Sequence, residues 1–396
     1  MKTSIFLIYQ HYSQMVNDHS LSLYMHIPFC TSKCDYCDFT SFPISNQPEE
    51  LFSEYFNALK REFKFLKNRY LTTPYRLTSL YIGGGTPSVV PFHYYESLFE
   101  ELFELFPSPL EFTCEVNPGS VSGEFLKGLR DYGCTRISLG MQSPSDQTLE
   151  SVGRLQTINQ YIQSYSIIRA YFSNVNIDLI CGLPEDLQIW LDKCGDWIAK
   201  MAPKHCSVYI LEAEKDTPLG KRFRKGIIEL PSFEYTTEIF KHMIWQLTRM
   251  GYHQYEISNF SQPGYESLHN HCYWESKNYL GLGVSAGGFF NQFRYVNTHL
   301  LSDYLSAEFE NEKHYDYYTI NSPEEHLREF LFMGLRLKRG VFLNELNTKF
   351  PDSAIERILR ILADSKYMTV TNGYLRLNDY YFIHNREAFE YLLEVI

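Results

Sequence analysis

The sequence predicts an α/β protein built on a parallel sheet, followed by a small C-terminal α+β unit. Short apolar runs with strand character recur along the first half of the chain, and segments with the helical spacing of three and four lie between them. Six such strand–helix repeats favour either an open doubly wound sheet or a barrel. The predicted strands are residues 21–27, 79–84, 111–117, 136–142, 175–182 and 206–213.

Amphipathic helices are expected at residues 48–68 and 94–106, where apolar side chains repeat with the helical period. The repeat ends after about residue 220. A further helix is expected at 233–250, followed by a loop that carries "HNHCYW" at 269–274 and by the run "YLGLGVSAGG" at 279–288.

The last 75 or so residues have the pattern of a separate unit. Helices are expected near 322–337, 342–350 and 352–365, and a last helix reaches the end of the chain. The run 367–377 alternates on both sides of an Asn-Gly pair, which predicts a hairpin. Helices combined with a hairpin resemble a winged helix.

Composition excludes several classes of function. The chain of 396 residues has 36 basic and 47 acidic residues, a formal charge of −11, which disfavours a general nucleic-acid binder. The sequence contains no run of 18 apolar residues, the length that would suggest a membrane span. Residues 1–20 lack a secretory cleavage site and are expected to be a poorly ordered leader. The nine cysteines are then expected in a reducing cytoplasm, where clustered thiols are better explained as metal ligands.

Three of these cysteines form one cluster: Cys30, Cys34 and Cys37, with the spacing C-x3-C-x2-C. No cysteine follows before Cys114, so a local structural zinc site lacks a fourth thiolate. Three thiolates on one polar loop suit three corners of a [4Fe–4S] cluster and leave the fourth iron open. The remaining cysteines are predicted to be buried core residues, with the exception of Cys272.

Glycine-rich and polar residues follow the predicted strands, and parallel strands gather their carboxyl ends at one edge. The turn Gly83–Pro87 would let the backbone approach a small zwitterion. Glu115 is expected to point inward, either paired with a basic side chain or with a ligand hydroxyl or ammonium. The same alternatives apply to Gln142, Arg154 and Asp178.

Together these motifs resemble the radical S-adenosylmethionine (SAM) superfamily, in the branch of HemN and HemW. The resemblance covers roughly residues 21–377. It is carried by "YMHIPFCTSKCDYCDF", "YIGGGTPS", "EVNPGS", "RISLGMQS", "VGR", "NIDLICGLP", "YEISNF", "HNHCYW" and "YLGLGVSA". It implies a partial (β/α)6 TIM-like barrel at 21–255, a linking region at 256–320 and a winged-helix-like domain at 321–396.

The resemblance also implies cofactors. Cys30, Cys34 and Cys37 would hold a [4Fe–4S] cluster, and SAM would chelate its open iron. Gln156 departs from the family, which usually has histidine at that position. The residues that the resemblance assigns to SAM are Tyr24, Tyr36, Gly84, Gly85, Thr86, Glu115, Gln142, Arg154 and Asp178.

Two features separate the branches within the family. The HemN pattern has a further cysteine two residues after the third ligand, where this chain has Phe39. The HNxxYW motif of the HemW branch is present as His269, Asn270, Tyr273 and Trp274. These four residues are heme-contact candidates, because imidazole can ligate iron and aromatic rings can cover a porphyrin. His271 and Cys272 are alternative ligands, and His269 could instead be an ordinary loop residue bonded to backbone.

The resemblance thus implies a heme chaperone, carrying [4Fe–4S] and SAM, that delivers heme to a hemoprotein and dimerises. The alternative is an oxygen-independent coproporphyrinogen III oxidase, which decarboxylates propionates. The sequence leaves open whether the protein is an enzyme, and Phe39 disfavours a productive oxidase. Radical modification of RNA is a third hypothesis. The excess of acidic over basic residues counts against it, because RNA binding needs basic surface.

Overall fold

The computed structural model describes residues 19–44, 49–184 and 187–395. Of the predicted leader, 1–20, only the last two residues fall within this part of the chain, and Ser20 begins the first strand. The strands are, in chain order, β1 (Ser20–Ile27), β2 (Phe29–Cys30), β3 (Phe42–Pro43), β4 (Arg76–Gly84), β5 (Glu111–Val116), β6 (Arg136–Gln142), β7 (Val175–Cys181), β8 (His205–Ile210), β9 (His253–Gln254), β10 (Asn259–Ser261), β11 (Tyr279–Leu282), β12 (Gly287–Phe290), β13 (Phe293–Asn297), β14 (Tyr315–Ile320), β15 (Val341–Phe342), β16 (Met368–Thr371) and β17 (Tyr374–Leu377).

The α-helices lie between and after these strands. They are α1 (Glu50–Tyr70), α2 (His93–Leu105), α3 (Gly123–Asp131), α4 (Asp146–Ser151), α5 (Ile158–Tyr171), α6 (Leu187–Met201), α7 (Pro218–Arg224), α8 (Phe233–Arg249), α9 (Leu268–Trp274), α10 (Leu301–Leu305), α11 (Pro323–Gly334), α12 (Leu343–Lys349), α13 (Asp352–Ala363), α14 (Asp379–Ile383) and α15 (Asn385–Val395).

The centre of the molecule is a row of parallel strands in the order β1, β4, β5, β6, β7, β8. This confirms the predicted α/β fold and its partial (β/α)6 barrel. On the far side of β1 the sheet continues through parallel β11 and antiparallel β12 to β14. Beyond β8 it continues through antiparallel β10 and β9. Twelve of the described strands therefore form one open sheet, while β15, β16 and β17 form a second sheet and β2 and β3 a third.

The two faces of the barrel strands have opposite character, because successive side chains of a strand alternate. In β1, Leu23 and Met25 are buried in the main hydrophobic core together with Leu59 of α1. The alternate residues Tyr24 and His26 point into the barrel, where their side chains bond to each other. The interior also holds polar groups from several strands that bond to one another: Ser22, Ser79, Tyr81, Glu115, Ser138, Asn176, Asp178 and Ser207.

The C-terminal unit has its own core, which includes Leu331, Leu346, Leu362 and Leu375. Its order of helix, strand, two helices and hairpin is winged-helix-like. The predicted hairpin is confirmed: β16 and β17 are antiparallel, and Asn372 and Gly373 both have positive φ, 52° and 81°, as a tight hairpin turn requires. The predicted last helix is divided into α14 and α15. None of the described helices combines the length and apolar character that crossing a bilayer requires.

The prediction of a loop at "HNHCYW" is wrong, because these residues belong to helix α9. The side chain of Ser267 accepts the N–H of Asn270 and caps the helix. The carboxylate of Glu111, at the start of β5, accepts the N–H groups of Leu268 and His269 at 3.0 and 3.1 Å. A partner 158 residues away in the chain thus fixes the first turn, which local sequence does not reveal.

Candidate cofactor site

A cavity of about 1160 Å³ opens at the carboxyl ends of the barrel strands. Its wall brings together almost every residue predicted from sequence for the cluster and for SAM. These are Cys30, Cys34, Cys37, Tyr36, Gly84, Gly85, Thr86, Glu115, Gln142, Arg154 and Asp178. Tyr24 does not line the cavity, since it lies deeper and its hydroxyl bonds to Nδ1 of His26 at 2.9 Å.

The cysteine loop is held at its base and at its middle. Cys30 lies in the short strand β2, which pairs with β3 and returns the chain beside it. The backbone N–H of Asp35 donates to the carbonyl of Val152 at 2.8 Å, and the Asp35 carboxylate meets Arg222 at 2.8 Å. The thiols therefore stand on an anchored loop, at the mouth of the cavity.

The thiols of Cys30 and Cys37 are protonated in the absence of iron, because burial raises the pKa of Cys30 and raises that of Cys37 to about 11. The neighbouring Cys34 also raises both pKa values, because a charge there disfavours a further negative charge. Iron would displace these protons, since the thiolate is the metal ligand.

The donor set fits a [4Fe–4S] cluster. Within the described ranges, no group of three His, Cys, Asp or Glu side chains is arranged around a single metal ion. A cubane cluster makes no such demand, because each cysteine binds a different iron. The three thiols face one cavity, and the position two residues after Cys37 is Phe39, whose side chain is 58% exposed. These residues would thus hold three irons and leave one corner open to the cavity.

The glycine turn touches the acid of β5. Gly84 has φ of 107°, and a Cβ there would lie 2.4 Å from the imidazole of His26, so only glycine fits. Its N–H donates to Oε2 of Glu115 at 3.0 Å, and the Tyr81 hydroxyl donates to Oε1 at 2.7 Å. Burial raises the pKa of Glu115 to about 7, and the charge of Asp178 adds to this effect. Glu115 is therefore a carboxyl that gains or loses a proton near neutrality.

Arg154 organises the opposite wall. Its Nη2 donates to Oδ1 of Asn117 at 2.9 Å and to the carbonyl of Gly140 at 2.7 Å. Its Nη1 donates to the Tyr36 hydroxyl at 3.1 Å and lies 3.9 Å from Sγ of Cys34. A buried guanidinium thus places a positive charge beside the cysteine loop, where it favours bound thiolate.

Gln142 and Asp178 complete the wall of the cavity. Gln142 ends β6 with φ of 69°, at a break in register against β7, which turns its side chain into the cavity. Asp178 accepts hydrogen bonds from Ser138 at 2.9 Å and from Asn176 at 2.8 Å. Gln156, which stands where the family has histidine, also lines the cavity.

Sequence reasoning missed Tyr81 and Asn176 of this site, and it expected Asn117 at the strand ends without giving it a role. Tyr81 and Asn117 hold Glu115 and Arg154 in place, and Asn176 holds Asp178. The available signal was the alternation of strands β4 and β7, in which these polar groups share a face with the predicted residues. Asn117 directly follows β5 and therefore lies at the same rim.

The "HNHCYW" residues lie at the other end of the barrel and do not line this cavity. His269 is buried, with Nδ1 2.8 Å from Oγ of Ser79 and Nε2 2.8 Å from the hydroxyl of Tyr273. Burial lowers the pKa of His269 to about 3, so the ring is neutral. Both ring nitrogens are occupied by hydroxyl groups, and neither is open to iron.

The other members of the motif are also engaged. Asn270 donates to the Tyr255 hydroxyl at 3.2 Å. The Tyr273 ring packs edge-on against Tyr279, with centroids 4.7 Å apart. Trp274 lies under the guanidinium of Arg336, which is 4.8 Å from its ring centre. The motif therefore connects the amino ends of the barrel strands to the segment that follows α11.

Two family models match the chain. The Radical SAM superfamily matches residues 24–192, and the HemN C-terminal domain matches residues 321–380. A solved structure described as coproporphyrinogen III oxidase (HemN) from Escherichia coli has a TM-score of 0.79 and 21% identity, covering 98% of this chain and 92% of that one. At this identity the likeness shows the fold.

Curated relatives are more similar in sequence. The chain is 35% identical over 332 residues to the heme chaperone HemW of Lactococcus lactis, covering 83% of this chain and 85% of the relative. It is 33% identical over 352 residues to the heme chaperone HemW of Bacillus subtilis, covering 87% and 91%. It therefore belongs to the HemW family of the radical SAM superfamily.

Proposed function

We propose that the protein is a heme chaperone, which carries a [4Fe–4S] cluster and SAM, binds heme and delivers it to a hemoprotein. The observation that carries this proposal is the separation of the two motifs. The cysteine loop stands at the carboxyl ends of the barrel strands, whereas α9 stands at their amino ends, on Glu111. A ligand held near α9 is remote from the cluster. A molecule that is only carried can bind at such a distance, whereas the substrate of a radical reaction must bind beside the cluster.

The cofactor end would work through residues already in place. Cys30, Cys34 and Cys37 would hold the cluster, which with SAM supplies one-electron chemistry when bound. Glu115 offers a carboxyl acceptor for SAM donors, and Gly84 leaves room for the His26 ring behind the turn. Arg154 supplies the positive charge that offsets the thiolates and positions Tyr36.

The oxidase remains the second candidate, and one observation favours it. The cavity extends beyond the predicted SAM contacts to Phe223, Phe233 and Arg386, which leaves room for a larger molecule beside the cluster. Phe39 counts against it, because the HemN pattern has cysteine at that position.

Parallel assays on anaerobically reconstituted protein test the two candidates. Titration with hemin, followed by the Soret band, is expected to show saturable binding, and the bound heme is expected to transfer to an apo-hemoprotein. Incubation with coproporphyrinogen III, SAM and a reductant is expected to yield no decarboxylated product. Product formation without saturable heme binding would refute the chaperone proposal and favour the oxidase.

We further propose a cytoplasmic location and a homodimer. All nine cysteines lie in the described residues and none forms a disulfide, which supports a reducing compartment. The dimer is a family analogy, and sedimentation of the reconstituted protein at several concentrations tests it. A monomer at all concentrations would exclude it.

A further inference from the structure

A second cavity, of about 990 Å³, lies at the amino ends of the barrel strands. Leu110, Thr135 and Asn174, which precede β5, β6 and β7, form one side. Tyr374 and Arg376 of the C-terminal hairpin form the other. We call this cavity the hairpin cleft. Its volume is at the upper end of the range of roughly 300–1000 Å³ that is typical of small-molecule sites.

His271 is the histidine of α9 that lines the hairpin cleft. His269, two residues earlier on this helix, points into the barrel. The His271 ring stacks on Tyr255, with centroids 5.3 Å apart and planes at 24°. Its Nδ1 is buried and lies 3.2 Å from Oε1 of Glu275, one helical turn away, within ion-pair distance but not aligned for a hydrogen bond. A carboxylate at one ring nitrogen is the usual companion of a metal-binding histidine, because it fixes the proton there and leaves the other lone pair free.

Glu275 is itself held as an anion. Lys277 lies 2.6 Å from its Oε2, and Arg339 donates to its Oε1. Burial alone would raise the pKa of Glu275, but the interactions with His271 and Lys277 outweigh it and hold the pKa at about 2. The carboxylate therefore keeps its negative charge beside His271 throughout the physiological pH range.

The rest of the cleft combines apolar surface with cations. Leu110 and Leu268 line it and are 52% and 37% exposed. Lys338 and Arg376 line the same cleft, and both pair with the carboxylate of Asp379, at 2.9 and 3.3 Å. An amphiphilic ligand with an apolar ring and anionic groups would match this arrangement.

We propose that heme binds in the hairpin cleft, with Nε2 of His271 as the axial ligand of iron and the propionates directed to Lys338 and Arg376. This rests on the proposed function and deepens it by naming the site. Ligation forms one Fe–N bond from the Nε2 lone pair and displaces water from the iron, with no electron transferred. Cys272 is not the ligand, because it is buried with Sγ near the carbonyl oxygens of Lys277 and Asn278.

The experiment is hemin titration of the full chain, followed by the Soret band and by the spin state of the ferric heme. His271→Ala is expected to weaken binding at least tenfold and to remove the histidine-ligated spectrum. In His271→Gly, added imidazole is expected to restore that spectrum, which a purely structural role would not produce. The matched control is His299→Gln, since His299 also pairs through Nδ1 with a carboxylate, that of Asp316 at 2.6 Å, and does not line the cleft.

Each outcome decides the proposal. Retention of the wild-type affinity and spectrum in His271→Ala would overturn it, and so would loss of the spectrum in His253→Gln, because His253 is the other histidine in the described lining. Arg376→Gln is expected to weaken hemin binding several-fold and to leave binding of the heme dimethyl ester unchanged. Failure of the wild-type protein to bind hemin would instead remove the proposed function, which separates the two results.

Discussion

Tyr81 donates its phenolic proton to Oε1 of Glu115 over 2.7 Å. The ring of His269 stacks on the same phenol, with centroids 5.0 Å apart. One side chain in the middle of the barrel thus touches an acid of the cofactor cavity and a histidine of α9. The polar interior of the sheet, rather than its apolar exterior, connects the two ends of the molecule.

SAM binding should depend on pH through Glu115. Burial raises its pKa to about 7, so the carboxyl is protonated below neutrality. The protonated form stabilises the ligand-free fold, and this contribution to the free energy of unfolding is lost as the pH rises through that value. SAM donors need the carboxylate as acceptor, so affinity should increase from pH 6 to 8, by up to about tenfold for each unit below the pKa. Calorimetric titrations at several pH values measure this slope. Glu115→Gln should remove it, and an unchanged slope in this variant would contradict the assignment.

Each cysteine of the cluster should be needed for iron. Alanine at Cys30, Cys34 or Cys37 removes one of three thiolates, and two cannot retain a cubane cluster through reconstitution and desalting. Iron and sulfide analysis, with the visible absorption of the reconstituted protein, gives the readout. Cys272→Ala is the control and should bind iron like the wild type, because Cys272 lies near the opposite end of the barrel, on α9. Full iron content in any of the three cluster variants would exclude the proposed ligand set.

Alanine at Gly84 should be far more destabilising than alanine at Gly133. Both glycines have positive φ, 107° and 87°, so both substitutions strain the backbone by about 1 kcal/mol. At Gly84 the new methyl group would also overlap the His26 ring, whereas nothing lies within 4 Å at Gly133. Chemical denaturation should show an additional loss of at least about 1–3 kcal/mol for Gly84→Ala. Equal losses would mean that the ring moves aside freely.

The two histidines of α9 should separate stability from heme binding. His269→Ala leaves a buried space and removes the partner of the Ser79 and Tyr273 hydroxyls, which should lower the free energy of unfolding by about 2–4 kcal/mol. His271→Ala removes a partly buried ring that stacks on Tyr255 and lies beside Glu275, and should lower it by only about 1 kcal/mol. Urea denaturation of the ligand-free protein makes the comparison. The reverse order would show that His271, not His269, is the structural residue.

Much of the fold follows from local patterns in the sequence. The runs at 21–27, 136–142 and 175–182 match β1, β6 and β7 to within about one residue, because their apolar and polar positions alternate and glycine or polar turns end them. The hairpin at 367–377 follows from Asn372-Gly373, which adopts the left-handed backbone that the turn needs. The cysteine spacing alone predicts a three-thiolate site, since metal ligation by one short loop is a local property.

The position of "HNHCYW" depends on contacts with distant segments of the chain. A helix of seven residues is too short to be stable alone, since isolated helices need roughly 12–15 residues, so local propensity indicated a loop. Glu111 accepts the first N–H groups of α9, and the His269 ring bonds to Ser79 and stacks on Tyr81. The C-terminal hairpin faces His271 across the cleft. The residue types that could bind iron and heme are already present in the sequence. Only packing between distant segments decided that one histidine of the motif is buried and the other lines a cleft.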